Sequence, residues 1–448
     1  MGYVIKNSEG ILKAAGTFKG DVRIREGIIA EIGYDLPLQG DELIDARGCV
    51  IYPGMVNTHH HLAQSVLKGI PDGLNKGLGE WLAAVPYRFW PKISPRLTYL
   101  AAKLGLYELQ FSGATTCADH HYLYHYQSSP EVEEAVWRAA RNMGMRFVLC
   151  RGSATSIGSH KGVQSMQLKP ETPELVMQRM EHSLNFHDNA PLSMSRVCMA
   201  PTSLIHSCEA GHLKEFAKFA RQHQLKMHSH LLEVSDDEQQ AQSKYGMSAM
   251  EYAASCDWVG EDVWFAHMVH TDKPARQLLS DSHTSISHCP TSNCRLGSGI
   301  ASALDMDSIG INVTMGVDGS ASAESGSMLQ ELNLAWLLHR SQHGADSIKL
   351  NQVMGWGTKN GADLLGFKSG QIAVGYAADL VLYRIDSPRM AMVHSPEFAP
   401  ILCGEPAIVE YSFIQGRPVI AKQESTVVDI HQLVAELRHE MALLMANV

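Results

Sequence analysis

The sequence predicts an α/β fold, a (β/α)8 TIM barrel carrying a small β-sandwich domain built from both chain ends. Three observations support it. Eight short apolar runs recur through the middle of the chain with amphipathic stretches between them. Polar side chains, histidines above all, collect at the C-terminal ends of several of those runs. The stretches near either terminus instead alternate and turn like hairpins.

The candidate barrel strands are 50–57, 113–119, 145–151, 195–201, 225–231, 262–267, 283–288 and 311–318. Between them lie stretches such as PEVEEAVWRAARNMG (130–144) and AGHLKEFAKFARQHQ (210–224), apolar at i, i+3, i+4 spacing with a charged opposite face. A doubly wound sheet would normally show a glycine-rich phosphate loop after an early strand, and none is present. DVRIREGIIAEIG (21–33) reads as a hairpin turning at Glu26-Gly27, and IVEYSFIQGRPVIA (408–421) as one turning at Gln415-Gly416. These patterns assign residues 1–52 and 369–425 to the sandwich, 53–368 to the barrel and 426–448 to a C-terminal helix. That helix, apolar at Ile430, Leu433, Val434, Leu437, Met441 and Leu444, is expected to pack on the body or on a second subunit, and a homo-oligomer is expected.

Composition narrows the function. Lys plus Arg number 37 against 47 Asp plus Glu, a formal charge of −10, so there is no basic footprint for nucleic acid or for an anionic membrane. Nine scattered cysteines without a C-x-x-C pair suggest reduced thiols in the cytoplasm. No apolar run is long enough to span a membrane, the N-terminus lacks a signal-peptide core, and Lys6 stands where a myristoylation motif needs Ser or Thr.

In a barrel of this kind the active site forms where the strands end. Here the first strand ends in VNTHHHL, with His59 and His61 two residues apart and so on one face, while His60 faces elsewhere. An isolated H-x-H is weak evidence, and a histidine-rich turn is the ordinary alternative. With His230 ending the fifth strand and Asp318 ending the eighth, three imidazoles and a carboxylate become available for one divalent cation, Zn²⁺ ahead of Fe²⁺. Glu233, three residues past His230, is either a surface carboxylate or a proton-transferring acid, and its position favours the acid. His267, ending the sixth strand, is a candidate to stabilise developing oxyanion charge. His228 suits a supporting role behind His230, and His288 in SHCPTSN is a candidate substrate contact. Asp318 is both a candidate ligand and a candidate acceptor of the attacking water's proton.

These residues resemble a known family. The motifs PGMVNTHHHL (53–62), HSHLLE (228–233), AHMVH (266–270), SHCPTSNCRLGSG (287–299) and GVDGSAS (316–322), followed by TKNGADLLGF and GYAADLVLY, are similar to those of the amidohydrolase superfamily. The likeness is greatest to its aminohydrolase branch of guanine-, cytosine- and triazine-type deaminases. Within that branch, NTHHHLAQSVLKGIPDGL and ADHHYLYH look most like deaminases of oxidised guanine and of pterins.

The resemblance implies His59, His61, His230 and Asp318 as ligands of one metal, with Glu233 and His267 as catalytic partners. It implies Gln64 as a contact to the substrate ring, with Arg151 in LCRGS as a partner for a ring carbonyl. The implied reaction is hydrolytic loss of ammonia from a small amino-substituted heterocycle. Removal of halide or alkylamine from a triazine would use the same site. An inactive scaffold is disfavoured because every ligand is present. The fourth strand has no lysine to bridge two metals, and HCPTSNC lacks the P-C-x-x-C order of the cytidine-deaminase fold. Loop 152–170 matches no motif and is expected to shape specificity.

Overall fold

The computed structural model describes residues 2–13, 16–157 and 168–446. Eight strands, Met55–His60, Ala114–His121, Arg146–Ser153, Ser195–Pro201, Lys226–Leu231, Val263–His267, Ser285–His288 and Val313–Met315, pair in chain order as one parallel sheet. The sheet closes on itself. The N–H of Asp318 donates to the carbonyl of His59 at 3.0 Å, and His60 and Asp318 form a parallel bridge. The last strand thus reaches the first through a residue that the sequence already marks as functional.

The strands are buried on both faces, as a parallel sheet wrapped in helices requires. Inside, Val56, Ala118, Val148, Cys150, Cys198, Ala200 and Trp264 cluster with Ala362, Leu364, Leu365 and Phe367. Lys359–Leu365, a short helix, enters this cluster where the first strand begins. A Cβ at its Gly361 would approach Val56 and Thr58 within 3.0 Å, so only glycine lets the helix sit so close. Outside, Glu131–Met143 and Ala210–Gln222 lay their apolar faces on the sheet, as their periodicity predicts. Gly144, left-handed at φ 64°, ends the first of these helices.

Both chain ends supply the remaining sheets. Tyr3–Lys6, Asp21–Arg25, Ile28–Gly33 and Glu42–Asp45 form one. Gly10–Lys13, Gly16–Phe18, Cys49–Pro53, Leu380–Arg384, Ile408–Ile414, Arg417–Ala421 and Glu424–Ser425 form the other. Ile5, Val22 and Ile24 of the first share a core with Ile11, Ile51, Leu380, Leu382 and Phe413 of the second. The two expected hairpins turn at Glu26-Gly27 and Gln415-Gly416, all four residues having positive φ. Ile430–Ala446 is a helix that buries Leu433, Leu437 and Leu444 against the barrel's flank.

One expectation needs correction. The run 50–57 is not a single strand. Cys49–Pro53 runs antiparallel to Leu380–Arg384 in the outer sheet, and the barrel strand starts afresh at Met55. Gly54 makes the switch: its N–H donates to Asp379, that of Met55 to Gly113, and a Cβ on Gly54 would lie 2.1 Å from the Thr115 hydroxyl. An apolar run read by periodicity does not reveal that its hydrogen-bond partners change midway. Among the described residues, no helix is long and apolar enough to cross a membrane, and all nine cysteines are free.

Candidate active site

His59, His61, His230 and Asp318 meet at the mouth of the barrel. The Nε2 atoms of His61 and His230 are 3.1 Å apart, and Asp318 Oδ1 lies 3.3 Å from His61 Nε2 and 3.4 Å from His59 Nε2. The donors of His59, His61 and His230 lie within 4.8 Å of one another. His60 turns the other way, its Nε2 facing Gly105 and Gly326. The i, i+2 rule therefore separates the three adjacent histidines as the sequence suggests.

Their hydrogen bonds dictate which ring nitrogen carries the proton. A carbonyl only accepts, so His61 Nδ1–H donates to His120 C=O and His230 Nδ1–H donates to Thr202 C=O, each at 2.7 Å. His228 Nδ1–H donates to Trp264 C=O at 3.0 Å, which leaves its Nε2 to accept from His59 Nδ1–H at 2.8 Å. Burial pushes His59 and His230 well below the ordinary histidine range, and His228 down to about 3, so these rings are neutral.

Three bare Nε2 lone pairs and a carboxylate oxygen thus converge in buried space. Without a cation between them they repel one another, and the Nε2 lone pairs lack any donor; His59 Nε2 has no hydrogen-bond partner among the described residues. A tetrahedral ion with bonds of about 2.0–2.1 Å spaces its donors by about 3.3 Å, which matches the observed separations. The residues present fit a divalent cation. Asp318 is held for this task by Gly319 N–H on Oδ1 and by the Ser292 and Ser322 hydroxyls on Oδ2. At φ 59° it occupies a left-handed conformation uncommon for a residue with a side chain.

Glu233 and His267 stand beside the cluster. His267 Nδ1 pairs with Asn293 Oδ1 at 2.9 Å, so Nε2 faces Glu233 Oε2 at 3.5 Å. Burial pushes the Glu233 carboxyl up to about 7, and its Oε1 has no partner among the described residues. A buried carboxyl that titrates near neutrality can give and take a proton at working pH.

A pocket of about 790 Å³, its solvent-filled mouth included, opens over these groups. His61, Gln64, His230, Glu233, His267 and Asp318 line its floor, and Trp81, Tyr87 and Tyr122 its walls. Gln64 is brought to the site as expected, its amide donating to the Tyr122 hydroxyl at 3.1 Å. Two other candidates are not. Arg151 is fully buried away from the pocket lining; it pairs with Glu171 at 2.7 Å and lies over the Tyr124 ring at 3.9 Å. Alternation on the third strand turns it outward, where the Glu171 carboxylate and the Gly152 carbonyl accept from its guanidinium. His288 is likewise absent from the lining and sits 3.3 Å from His339 Nε2, joining the seventh strand to the helix Met328–His343.

Sequence reasoning missed Trp81, Tyr87, Tyr122, His206 and Asp237. Tyr122 and His206 had a usable signal, since both follow strand ends. Of loop 152–170, residues 158–167 lie outside the described residues, and the expectation that this loop shapes specificity falls largely there.

Comparison with known proteins agrees with this architecture. The amidohydrolase family matches residues 50–419. An isoxanthopterin deaminase of an unknown prokaryotic organism is 40% identical, covering 96% of this chain and 92% of its own. The 8-oxoguanine deaminase of Pseudomonas aeruginosa is 33% identical over 89% of each. The crystal structure of an amidohydrolase from an environmental sample of the Sargasso Sea superposes with a TM-score of 0.87 at 34% identity, covering 100% of this chain and 99% of that one. By the extent of these matches and the barrel they share, the chain belongs to the amidohydrolase family.

Proposed function

We propose that this protein is a metal-dependent aminohydrolase that releases ammonia from an amino-substituted, nitrogen-containing aromatic ring, with lactam bicycles of the pterin and oxidised-purine kind as its substrate class. The observation that carries the reading is the convergence of three imidazole Nε2 atoms and a carboxylate beside an acid that burial pushes up to about 7. The names of the two relatives, an isoxanthopterin deaminase and an 8-oxoguanine deaminase, support the substrate class.

His59, His61, His230 and Asp318 would hold the ion, and the imidazole-rich donor set suits zinc. Bound there, it would supply Lewis acidity that makes water acidic enough to lose a proton near neutral pH. Asp318 takes that proton as the oxygen adds to the ring carbon bearing the amino group. Glu233 delivers its own proton to the adjacent ring nitrogen, so negative charge never accumulates on the ring. Against the effect of its burial, the Glu233 and Asp318 carboxylates hold His267 above the ordinary histidine range. It is protonated on both ring nitrogens, and its Nε2–H donates a hydrogen bond to the adding oxygen. Asp318 then passes its proton to the amino group, the C–N bond breaks and ammonia leaves. The adduct's hydroxyl proton returns to Glu233 as the carbonyl forms, which restores both carboxyl groups. Gln64 and the aromatic walls orient the ring over this machinery.

The test is an ammonia-coupled screen of isoxanthopterin, 8-oxoguanine, guanine, cytosine and aminotriazines with zinc-loaded protein, run beside a chloride assay on chlorotriazines. Ammonia from a lactam bicycle is the expected result. Chloride release without deamination of any bicycle would overturn the reading.

A further inference from the structure

Glu233 is poorly anchored through its own carboxyl. Among the described residues Oε1 has no partner and Oε2 meets only His267, at 3.5 Å. Its position must therefore come from the main chain, and that main chain is strained. Leu232, immediately before it, is left-handed at φ 53°, a conformation that a branched side chain seldom adopts. Met268 and His270 N–H groups grip the carbonyls of Leu231 and Leu232 from one side, at 3.2 and 2.9 Å.

The other side is held by Asp237. In the first turn of the helix Ser235–Tyr245 its side chain folds back, and Oδ2 accepts the Glu233 N–H at 3.3 Å. Oδ1 accepts His206 Nε2–H at 2.9 Å. His206 belongs to the segment after the fourth barrel strand, the same segment whose Thr202 carbonyl fixes the His230 ring and whose Ser203 bridges to His230. All three side chains, His206, Asp237 and Glu233, line the pocket and are buried.

We propose that His206 is a positioning residue for the reaction: through Asp237 it clamps the backbone of Glu233 and so aims the proton donor at the substrate ring. The proposal rests on Glu233 acting as that donor. His206 itself transfers no proton. It supplies the second of two donors that pin the Asp237 carboxylate, and it ties the loop after strand four to the acid after strand five. Misplacing a reacting group by about 1 Å can cost about 10²-fold in rate.

The experiment compares His206→Leu with His206→Gln, whose amide N–H can replace Nε2–H, in zinc-loaded protein on the best substrate of the screen. His206→Leu should lose about 10²-fold in kcat with little change in KM, and His206→Gln should recover most of it. Hydrogen–deuterium exchange of the peptide spanning 231–234 should quicken in His206→Leu but not in His206→Gln. Should His206→Leu not fold, Asp237→Ala takes its place, because it removes both acceptor oxygens.

Wild-type kcat in His206→Leu, equal impairment in His206→Gln, a loss confined to KM, a loss that follows metal content, or unchanged exchange would each overturn the proposal. Exchange is independent of turnover. An inactive wild type would therefore count against the functional reading, and unchanged exchange against this one.

Discussion

His59 and His228 are joined ring to ring, Nδ1 to Nε2 at 2.8 Å, and His228 is in turn bonded to the carbonyl of Trp264 at 3.0 Å and stacked on its indole with centroids 4.3 Å apart. This chain of bonds leaves only one tautomer open to His59, the one with a bare Nε2 facing the cluster. Replacing His228 by phenylalanine keeps the stacking surface but removes the acceptor. Such outer partners typically contribute 10–100-fold to metal affinity. His228→Phe is expected to lose metal about 10–100-fold more readily in a chelator titration read by elemental analysis, and wild-type retention would contradict the tautomer argument.

Asp318 combines two roles. Its Oδ1 faces His59 and His61, while Ser292 and Ser322 hydroxyls occupy Oδ2. Asp318→Asn keeps the shape but loses the charge and the proton acceptor. Both metal content and kcat should fall, and excess zinc should restore the metal without restoring the rate. A variant that regains full activity on adding zinc would reduce Asp318 to a ligand only.

Glu233→Gln should retain metal and lose about 10²–10⁴-fold in kcat, the usual contribution of a general acid–base group. The pH dependence follows from the same group. Burial raises its carboxyl from the ordinary 4.5 to about 7, and the protonated form is the donor. kcat/KM should therefore decline on the alkaline side as Glu233 ionises near 7. For stability the sign is that of a raised pKa. The folded state holds this proton more tightly than the unfolded chain, so the contribution is complete below about 4.5 and is lost as pH rises through about 7. Differential unfolding of wild type and Glu233→Gln across that window measures it.

Arg151 is expected to matter for stability rather than for substrate. It pairs with Glu171, approaches Glu133 at 3.7 Å and covers Tyr124, all within the protein's interior. Arg151→Met leaves Glu171 with Arg179, at 2.6 Å, as its remaining cation, so the loss is that of one buried charged hydrogen-bond partner, about 1–3 kcal/mol. Tm should drop while KM per folded molecule stays constant. A raised KM at unchanged Tm would return Arg151 to the substrate.

The strand ends carried most of what could be read without a fold. His59, His61, His230, Glu233, His267 and Asp318 each follow a short apolar run, and the period of two is local enough to say that His59 and His61 share a face while His60 does not. Gln64 was marked by its resemblance to a family motif, and it lines the pocket beside Tyr122.

Other features depended on partners far away in the chain. Cys49–Pro53 and Met55–His60 look like one strand because sequence periodicity does not show that their neighbours are Leu380–Arg384 and Ala114–His121 respectively. Arg151 and His288 also follow strand ends, yet Glu171 and His339, brought close only by folding, engage them outside the pocket. The clamp of His206 on Asp237 spans two loops in the same way. Chemistry that depends on residue type and local period was therefore written in the sequence. Which side chains face the pocket, which tautomer each histidine adopts and what holds the acid in place were decided by tertiary contacts, because each depends on a hydrogen-bond partner that no local pattern specifies.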